Sequence, residues 1–425
     1  MTGTQATLGG ECVAVWREAL LHVQAARLVS EALATRPLPS GQVRVLALGK
    51  AAAPMMQAAL AALGARVGDP LCVLPEGSPA PAGVTAITAG HPRPNAGSVA
   101  AGRAILDWAA ANAGQPALVL LSGGGSALAF APADGLSPDD KAEAIAAVMR
   151  AGATIQRLNA VRKHLSALKG GRLGARLAPA PVTVLVLSDV PGDDLSSIAS
   201  GPFAPDPTTY ADALDAVAAA GGAVPAAARA HLQAGARGAR DETPKPGDPR
   251  LATIVHHLLA GPVHLARAAA DAARVRGFDA AASPDPLTGD VAEVAERLGR
   301  WARAHAGRGR RRRAGGGEPT VRVPEGAAAP DGGRAQHLAL LAAREIEGLP
   351  AAVLAAGSDG RDGPTEQAGA VVDGETAAAA RAARVDLDAA LAAARSGPAC
   401  LAIGAALPRV ETGTHLCDLV VVAVE

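Results

Sequence analysis

The stretch PALVLLSGGGSAL, residues 116–128, combines a predicted strand with a turn that could bind an anion. Its apolar residues 117–121 predict a short buried strand. The turn that follows consists of Ser122, Gly123, Gly124, Gly125 and Ser126. Consecutive glycines let a ligand approach the backbone N–H groups, and the flanking hydroxyls can donate to anionic oxygens. The turn is therefore either a phosphate or carboxylate site or an ordinary connection, and its spacing matches no standard nucleotide motif.

Polar side chains elsewhere could contact the same anion. Lys50 stands between a predicted strand and a predicted helix, where it could reach an anion held at the helix N-terminus. A helix predicted at 154–177 has polar residues at the borders of its apolar stripe or on its polar face: Asn159, Arg162, Lys163 and Lys169. For Lys50 and this basic helix face, the alternative is ordinary exposure to solvent. His91 lies in a proline-rich loop, where it could contact a ligand or pack against the protein.

Carboxylates follow two further predicted strands. Asp189 and Asp193 come after an apolar strand, at the end where open α/β sheets bind ligands, although the same acids could cap a turn. Asp359 and Asp362 lie in a glycine-rich loop after another buried strand. Acids in such a loop could bind a metal ion, but the downstream pattern of an EF-hand is missing.

The order of the predicted elements indicates the fold class. Strands alternate with helices through the first half of the chain, which predicts a doubly wound, Rossmann-like α/β domain. Residues 235–249 are rich in Gly, Pro and charge, as is typical of a domain boundary. We therefore predict an amino-terminal α/β domain at 1–240 and a smaller α/β domain at 241–425. In the second domain, the arginine-rich run 308–313 predicts a surface loop, and residues 399–403 predict a strand.

Composition argues against several classes of protein. The 425 residues include 40 basic and 40 acidic side chains, so no net charge attracts nucleic acid or a membrane. The four cysteines show no CxxC spacing, which argues against a zinc site or a disulfide framework and fits a reducing cytosol. The amino terminus shows no secretory signal pattern. We expect a cytoplasmic protein with small-molecule ligands and without nucleic-acid or membrane partners, and we leave a homodimer open.

Six motifs in order resemble those of the glycerate 2-kinases with a MOFRL carboxyl-terminal domain. The motifs are ALGKAAAPM, GHPRPNAGS, LLSGGGSAL, NAVRKHLSALKGGRL, LSDVPGDDLSSIASGP and AAGSDGRDGPTEQAGAVVD. The resemblance covers nearly the whole chain. It implies ATP-dependent phosphorylation of D-glycerate to 2-phosphoglycerate, with a divalent metal ion, usually Mg²⁺. It also implies two α/β domains with the active site in the cleft between them.

The resemblance also implies roles for single residues. Lys50 and Arg334 are the family's leading catalytic positions, and the turn at 122–126 belongs to its ligand-binding cleft. We expect Lys50 and Arg334 to neutralise charge on the phosphates and on the glycerate carboxylate. Asp189 would hold the metal ion or accept the hydroxyl proton, and Asp193 is the second expected metal ligand. The expected substrate and phosphate site is completed by His91, Asn159, Arg162, Asp359 and Asp362.

The chain departs from the family pattern near its carboxyl end. After Gly333-Arg334 the family usually reads Asn-Gln-Glu, whereas this chain has Ala335-Gln336-His337. A later Thr-Gly-Pro-Thr-Gly-Thr-Asn-Val-Asn-Asp becomes the shorter run 411–418. Two other functions stay open. One is an NAD(P)H-dependent hydroxypyruvate reductase, a name that relatives of this family sometimes carry, although the dinucleotide fingerprint of such an enzyme is missing from the sequence. The other is a non-catalytic relative that has kept the fold.

Overall fold

The part of the chain that the structure describes forms two six-stranded sheets with helices packed on them. The computed structural model describes residues 7–323 and 331–425. Within these residues the strands are β1 (Val43–Leu48), β2 (Val67–Pro75), β3 (Thr85–Ala89), β4 (Ala117–Leu121), β5 (Val182–Leu187), β6 (Ile254–Ala260), β7 (Asp279–Ala282), β8 (Arg311–Gly317), β9 (Ala351–Gly357), β10 (Gln367–Asp373), β11 (Ala406–Pro408) and β12 (Asp418–Val424).

The α-helices of the same residues are α1 (Leu8–His22), α2 (Ala25–Thr35), α3 (Ala52–Leu63), α4 (Ala96–Ala111), α5 (Gly125–Leu128), α6 (Pro138–Arg150), α7 (Ile155–His164), α8 (Arg172–Leu177), α9 (Tyr210–Ala219), α10 (Ala226–Ala236), α11 (Pro262–Val275), α12 (Val291–His305), α13 (Arg334–Glu345), α14 (Thr376–Ala382), α15 (Leu387–Ala392) and α16 (Ser396–Ala402). None of the helices in the described part of the chain is both long and apolar enough to cross a bilayer.

The chain divides into two compact units, each built from segments that are distant in sequence. The N-unit consists of Ala25–Leu187 and Asp193–Leu259. The C-unit consists of the residues up to Gln24, Ser188–Gly192 and the residues from Ala260 onward. This division differs from the single boundary predicted after residue 240. The main reason is α1, whose buried residues pack on β9, β12 and α11 of the C-unit, although α1 lies at the start of the chain.

The N-unit sheet has the strand order β3-β2-β1-β4-β5-β6. The pairs from β3 to β5 are parallel. Every residue of β4 is buried, as expected for a parallel strand that is covered on both faces. This is the strand order of a Rossmann-type sheet, so the predicted fold of this unit is confirmed. The strand order reverses between β1 and β4, and the carboxyl ends of these two strands therefore form the topological switch point of the sheet.

A helical cluster completes the N-unit. Leu158, Val161 and Leu165 of the predicted apolar stripe pack against helices α6, α9 and α10. The single helix predicted at 154–177 is interrupted, and α7 and α8 replace it. The interruption covers residues 165–171. It ends at Gly170-Gly171, where φ is 59° and 79°, a left-handed conformation that glycine adopts without the steric cost of a Cβ.

The C-unit sheet is mixed, with the order β11-β10-β9-β12-β8-β7. β7 and β8 are parallel, and the other neighbouring strands are antiparallel. Alternate residues of the two central strands, such as Val353, Val420 and Val422, belong to a core that includes α12 and α13. Helices α1 and α11 also pack on this sheet. The C-unit is therefore α/β, as predicted.

Two sequence predictions for the C-unit are wrong. The arginine-rich run 308–313 is not all loop, because β8 begins at Arg311 and pairs with β12. Arg312 is only 2% exposed, and its guanidinium lies 3.4 Å from the centroid of the Phe278 ring, which stabilises the buried charge. Residues 399–403 lie largely in α16 instead of a strand.

Candidate active site

The carboxyl ends of β1 and β4 bring Lys50 next to the glycine turn, residues 122–126. The Lys50 amide donates to the carbonyl oxygen of Gly123 over 2.9 Å. The Ala51 amide donates to Oγ of Ser122 over 3.1 Å. Because Ser122 is fully buried and accepts this bond, its hydroxyl helps to build the turn.

Gly124 is the point at which Lys50 and His91 meet the glycine turn. Gly124 has a φ of 86°, in the left-handed region that favours glycine. A Cβ at this position would lie 3.1 Å from Cγ of Lys50 and 3.1 Å from Cδ2 of His91. Glycine is therefore required both by the backbone conformation and by the close approach. The structure thus brings three of the predicted site residues together.

At the other end of the glycine turn, Ser126 contacts Ser200, a residue that sequence reasoning did not assign to the site. Their Oγ atoms are 2.7 Å apart, and Oγ of Ser200 donates to Oδ1 of Asn159 over 3.5 Å. Ser200 and the preceding Ala199 have φ values of 60° and 51°. Such strain in non-glycine residues is often found at functional sites. The available signal was the motif LSDVPGDDLSSIASGP, which includes Ser200.

Three cations lie close together next to Ser126. Nζ of Lys169 donates to the carbonyl oxygen of Ser126 over 2.7 Å, and Nζ of Lys141 donates to that of Ala131 over 2.9 Å. Burial, and secondly the charge of Arg162, lowers the pKa of Lys141 to about 7. Burial together with Lys141 and Arg162 lowers the pKa of Lys169 well below its usual value. The sequence prediction named Arg162 as a site residue and Lys169 only as part of the basic helix face, and it did not include Lys141.

In the C-unit, Arg334 begins α13 and is held by two carboxylates. Its Nε donates to Oδ2 of Asp418 over 2.6 Å, and its Nη2 donates to Oε1 of Glu318. Burial alone would lower the pKa of Arg334, but Asp418 and Glu318 raise it, so the guanidinium stays charged. Nη1 has no hydrogen-bond partner within residues 7–323 and 331–425, and it is the donor that remains for a ligand.

Asp362 fixes the helix that carries Arg334. Its Oδ1 accepts the Ala335 amide over 3.0 Å, and its Oδ2 accepts the Gln336 amide over 2.7 Å. Both oxygens therefore bind the N-terminal amides of α13. Burial, and secondly Asp418, raises the pKa of Asp362 to about 7. The predicted contact of Asp362 with substrate stays a prediction, and the structure adds this positioning role.

His415 connects the loops that carry Asp189 and Asp359. Its Nε2 lies 3.4 Å from Oδ2 of Asp189, and its Nδ1 lies 3.4 Å from Oδ2 of Asp359. Sγ of Cys417 donates to the carbonyl oxygen of Asp189 over 2.9 Å. Burial raises the pKa of Cys417 well above its usual value, so the thiol is a neutral donor. Both His415 and Cys417 lie in the segment that departs from the family pattern, and that departure was the signal for them.

The carboxylates in the described part of the chain do not form a complete metal site by themselves. Within the described ranges, no group of three or more His, Cys, Asp or Glu side chains is arranged to hold one. Asp193 has a buried Oδ1 for which these same ranges offer no hydrogen-bond partner. Mg²⁺ usually binds one or two carboxylates together with water and substrate phosphates. Asp193 therefore fits an ion that arrives with a nucleotide.

Comparison with known proteins decides the family. Residues 11–233 match the model of a domain of unknown function, DUF4147, and residues 314–418 match the MOFRL family. The D-glycerate 2-kinase of Thermotoga maritima is 36% identical over 390 residues, which cover 89% of this chain and 90% of that protein. The chain belongs to the glycerate 2-kinase family.

Two further proteins are similar to this member of the glycerate 2-kinase family over most of its length. A crystal structure of glycerate kinase from Thermotoga maritima has a TM-score of 0.86 and 32% identity, and the match covers 98% of this chain and 99% of that one. A protein of Agrobacterium vitis that carries the provisional name hydroxypyruvate reductase is 36% identical, over 90% of this chain and 87% of its own length. The family predicted from the six motifs is confirmed, and the chain is an enzyme of this kinase family.

Proposed function

We propose that this chain transfers the γ-phosphoryl group of ATP to D-glycerate and forms 2-phosphoglycerate. The proposal depends most on the position of Lys50 beside the glycine turn, at the switch point where parallel α/β sheets bind ligands. The substrate is suggested by the name of the Thermotoga maritima relative, D-glycerate 2-kinase.

The N-unit supplies donors and positive charge for an anion. In the described part of the chain, the amides of Gly123 and Gly124 have no hydrogen-bond acceptor, so they can donate to a phosphate or carboxylate oxygen. Lys50 adds a cation at the same turn. Phosphoryl transfer needs mainly positioning and positive charge around the transferring group, and these groups can provide both.

The C-unit supplies a second cation and several carboxylates. Nη1 of Arg334 is the proposed donor to a phosphate or to the glycerate carboxylate, while Asp418 and Glu318 hold the guanidinium in place. Asp189 is proposed either to bind the metal ion or to accept the hydroxyl proton. Asp193, which belongs to the N-unit, is the second proposed metal ligand. When bound, Mg²⁺ would neutralise charge on the phosphates.

The provisional name of the Agrobacterium vitis relative makes hydroxypyruvate reductase the second candidate. A reductase with this fold would bind its dinucleotide pyrophosphate at the turn after β1, where glycines let the backbone approach. This turn reads Gly49-Lys50-Ala51-Ala52, and Ala51 and Ala52 are buried. The observed turn therefore favours the kinase.

Two assays separate these functions. A coupled assay with D-glycerate and ATP is run beside an NADH-oxidation assay with hydroxypyruvate. We expect ATP-dependent product only, whereas NADH oxidation without phosphorylation would support the reductase, and inactivity in both would support a binding protein.

The site assignment is tested with Lys50→Ala and Arg334→Ala, and Arg157→Gln, an exposed arginine of α7, is the control. We expect each alanine variant to lose turnover by on the order of 100-fold or more. If both cations act on one transition state, the double variant loses less than the product of the single losses. Turnover within a few fold of wild type would overturn the assignment.

A further inference from the structure

The three neighbouring cations of the N-unit have no acidic partner in the part of the chain that the structure describes. Lys141 is 0% exposed, Lys169 is 3% exposed and Arg162 is half-buried. Within residues 7–323 and 331–425, none of them lies at ion-pair distance from a carboxylate. Lys163, next to Arg162 in the sequence, shows the usual arrangement, because it forms a buried ion pair of 3.0 Å with Asp206.

This arrangement is costly in the absence of a ligand. Burial penalises a charged ammonium group, and like charges at short range add repulsion. The contacts that each lysine makes are with uncharged groups: a carbonyl oxygen for Lys169, and a carbonyl oxygen and the ring of Phe130, 4.4 Å away, for Lys141. These contacts satisfy the N–H donors but leave the charge uncompensated. The lowered pKa values of both lysines are consistent with this interpretation.

Hydroxyl and amide groups lie next to the cations. Lys169 is bonded to the backbone of Ser126, whose Oγ is 2.7 Å from that of Ser200. Ser200 in turn contacts Asn159. The Arg162 guanidinium makes no hydrogen bond to any residue in the described ranges, so its five donors are available to a ligand. A tetrahedral dianion can accept from a guanidinium and from hydroxyls at the same time, and it offsets more of the positive charge than a carboxylate does.

We infer that Arg162, Lys169 and Lys141 form a subsite for a doubly charged phosphoryl group. Arg162 contacts the anion, and the two lysines add positive charge from the protein interior. The inference deepens the proposed function and rests on it for the source of the group, which is either the nucleotide or the phosphorylated product.

The first experiment uses inorganic phosphate as the probe on the full chain. Binding is measured by calorimetry, with sodium chloride at equal ionic strength as the reference. The variants are Arg162→Gln and Lys141→Met, and Arg157→Gln on the same helix is the matched control. Lys141→Met leaves the Ala131 carbonyl bonded, because it still accepts from Oγ of Ser166 and from the Ala167 amide. Thermal unfolding of each variant checks that it folds.

We expect wild type and Arg157→Gln to bind phosphate equally and the other two variants to bind at least about tenfold more weakly. Arg162→Gln removes a charged hydrogen-bond partner of the anion, and Lys141→Met removes a buried positive charge close to it. Competition by 2-phosphoglycerate, but not ADP, would assign the subsite to the product, and the reverse would assign it to the nucleotide. Unchanged phosphate affinity in folded Arg162→Gln and Lys141→Met would overturn the inference, even if wild type phosphorylates glycerate. Weakened phosphate binding in an enzyme that does not phosphorylate glycerate would instead overturn only the proposed function.

Discussion

Nε of Arg334 lies 2.6 Å from Oδ2 of Asp418, at the end of the C-unit sheet where β12 begins. Asp418 is paired in register with Gly317 of β8 and Gly357 of β9, so its backbone is held on both sides. A carboxylate on a central strand therefore fixes the direction of an arginine on a helix. This relationship makes the guanidinium a preorganised group, as electrostatic stabilisation of a transition state requires.

Asp418→Asn should lower kcat more than it changes KM for ATP. The substitution keeps the size of the side chain but removes the charge that orients Arg334. A hydrogen bond to a charged group contributes about 1.5–3 kcal/mol, which corresponds to a loss of roughly 10- to 150-fold. Both kcat and KM are measured by steady-state kinetics. The control is Asp388→Asn, because Asp388 forms an exposed ion pair with Arg344. An unchanged kcat in Asp418→Asn would show that the pair is only structural.

Gly124→Ala should reduce kcat/KM by tenfold or more, because the added methyl would displace the Lys50 and His91 side chains. Gly152→Ala is the matched control: Gly152 also has a positive φ, 73°, but a Cβ there meets nothing within 4 Å. Both variants should lose stability by about 1 kcal/mol from backbone strain. Equal activity of the two variants would contradict the close approach that the structure shows.

Lys141 should lower the free energy of unfolding at acidic and neutral pH. Its pKa is lowered from 10.5 to about 7 by burial, and then by Arg162. The cost to stability is complete below about pH 7, decreases as the pH rises, and disappears above the unfolded-state value of 10.5. Lys141→Met should therefore raise Tm at pH 6.5, and the difference from wild type should shrink towards pH 10. A lower Tm for the variant at pH 6.5 would show that the lysine stabilises the fold.

The proximity of Lys50 and the glycine turn could be predicted from the sequence. Lys50 and the glycine turn each follow an apolar strand directly, and parallel strands place their carboxyl ends at one edge of the sheet. The proximity of Lys141 and Lys169 could not be predicted. They lie on separate segments, and hydrophobic periodicity does not show which distant charged side chains lie close together. The same limit applies to Ser200, which reaches Ser126 across 74 residues of sequence.

The fold could be predicted where it depends on the local pattern of the sequence, but not where it depends on contacts between distant segments. Alternating strands and helices were enough to predict the Rossmann-type sheet. The packing of α1 on the C-unit could not be predicted, since an apolar helix face does not identify the sheet that it covers. The strand at Arg311–Gly317 was missed because an arginine run normally indicates an exposed loop. Here the Phe278 ring accommodates Arg312, a contact that the sequence does not reveal.

His415→Phe should lower kcat/KM by separating the loops of Asp189 and Asp359. Phenylalanine keeps a planar ring but cannot interact with either carboxylate, both now 3.4 Å from the imidazole. His305→Phe is the control, because His305 also lies in the C-unit and stacks on Trp301. The two variants are compared in glycerate and ATP titrations, and wild-type kinetics in His415→Phe would contradict the positioning role.

The central claim is most directly tested by phosphorus NMR of the products formed from D-glycerate and ATP. We expect ADP and a phosphomonoester on the 2-hydroxyl of glycerate, with the phosphomonoester signal strongly reduced at equal reaction time when Lys50→Ala replaces wild type. A phosphomonoester on the 3-hydroxyl, or no new phosphomonoester while hydroxypyruvate is reduced by NADH, would contradict it.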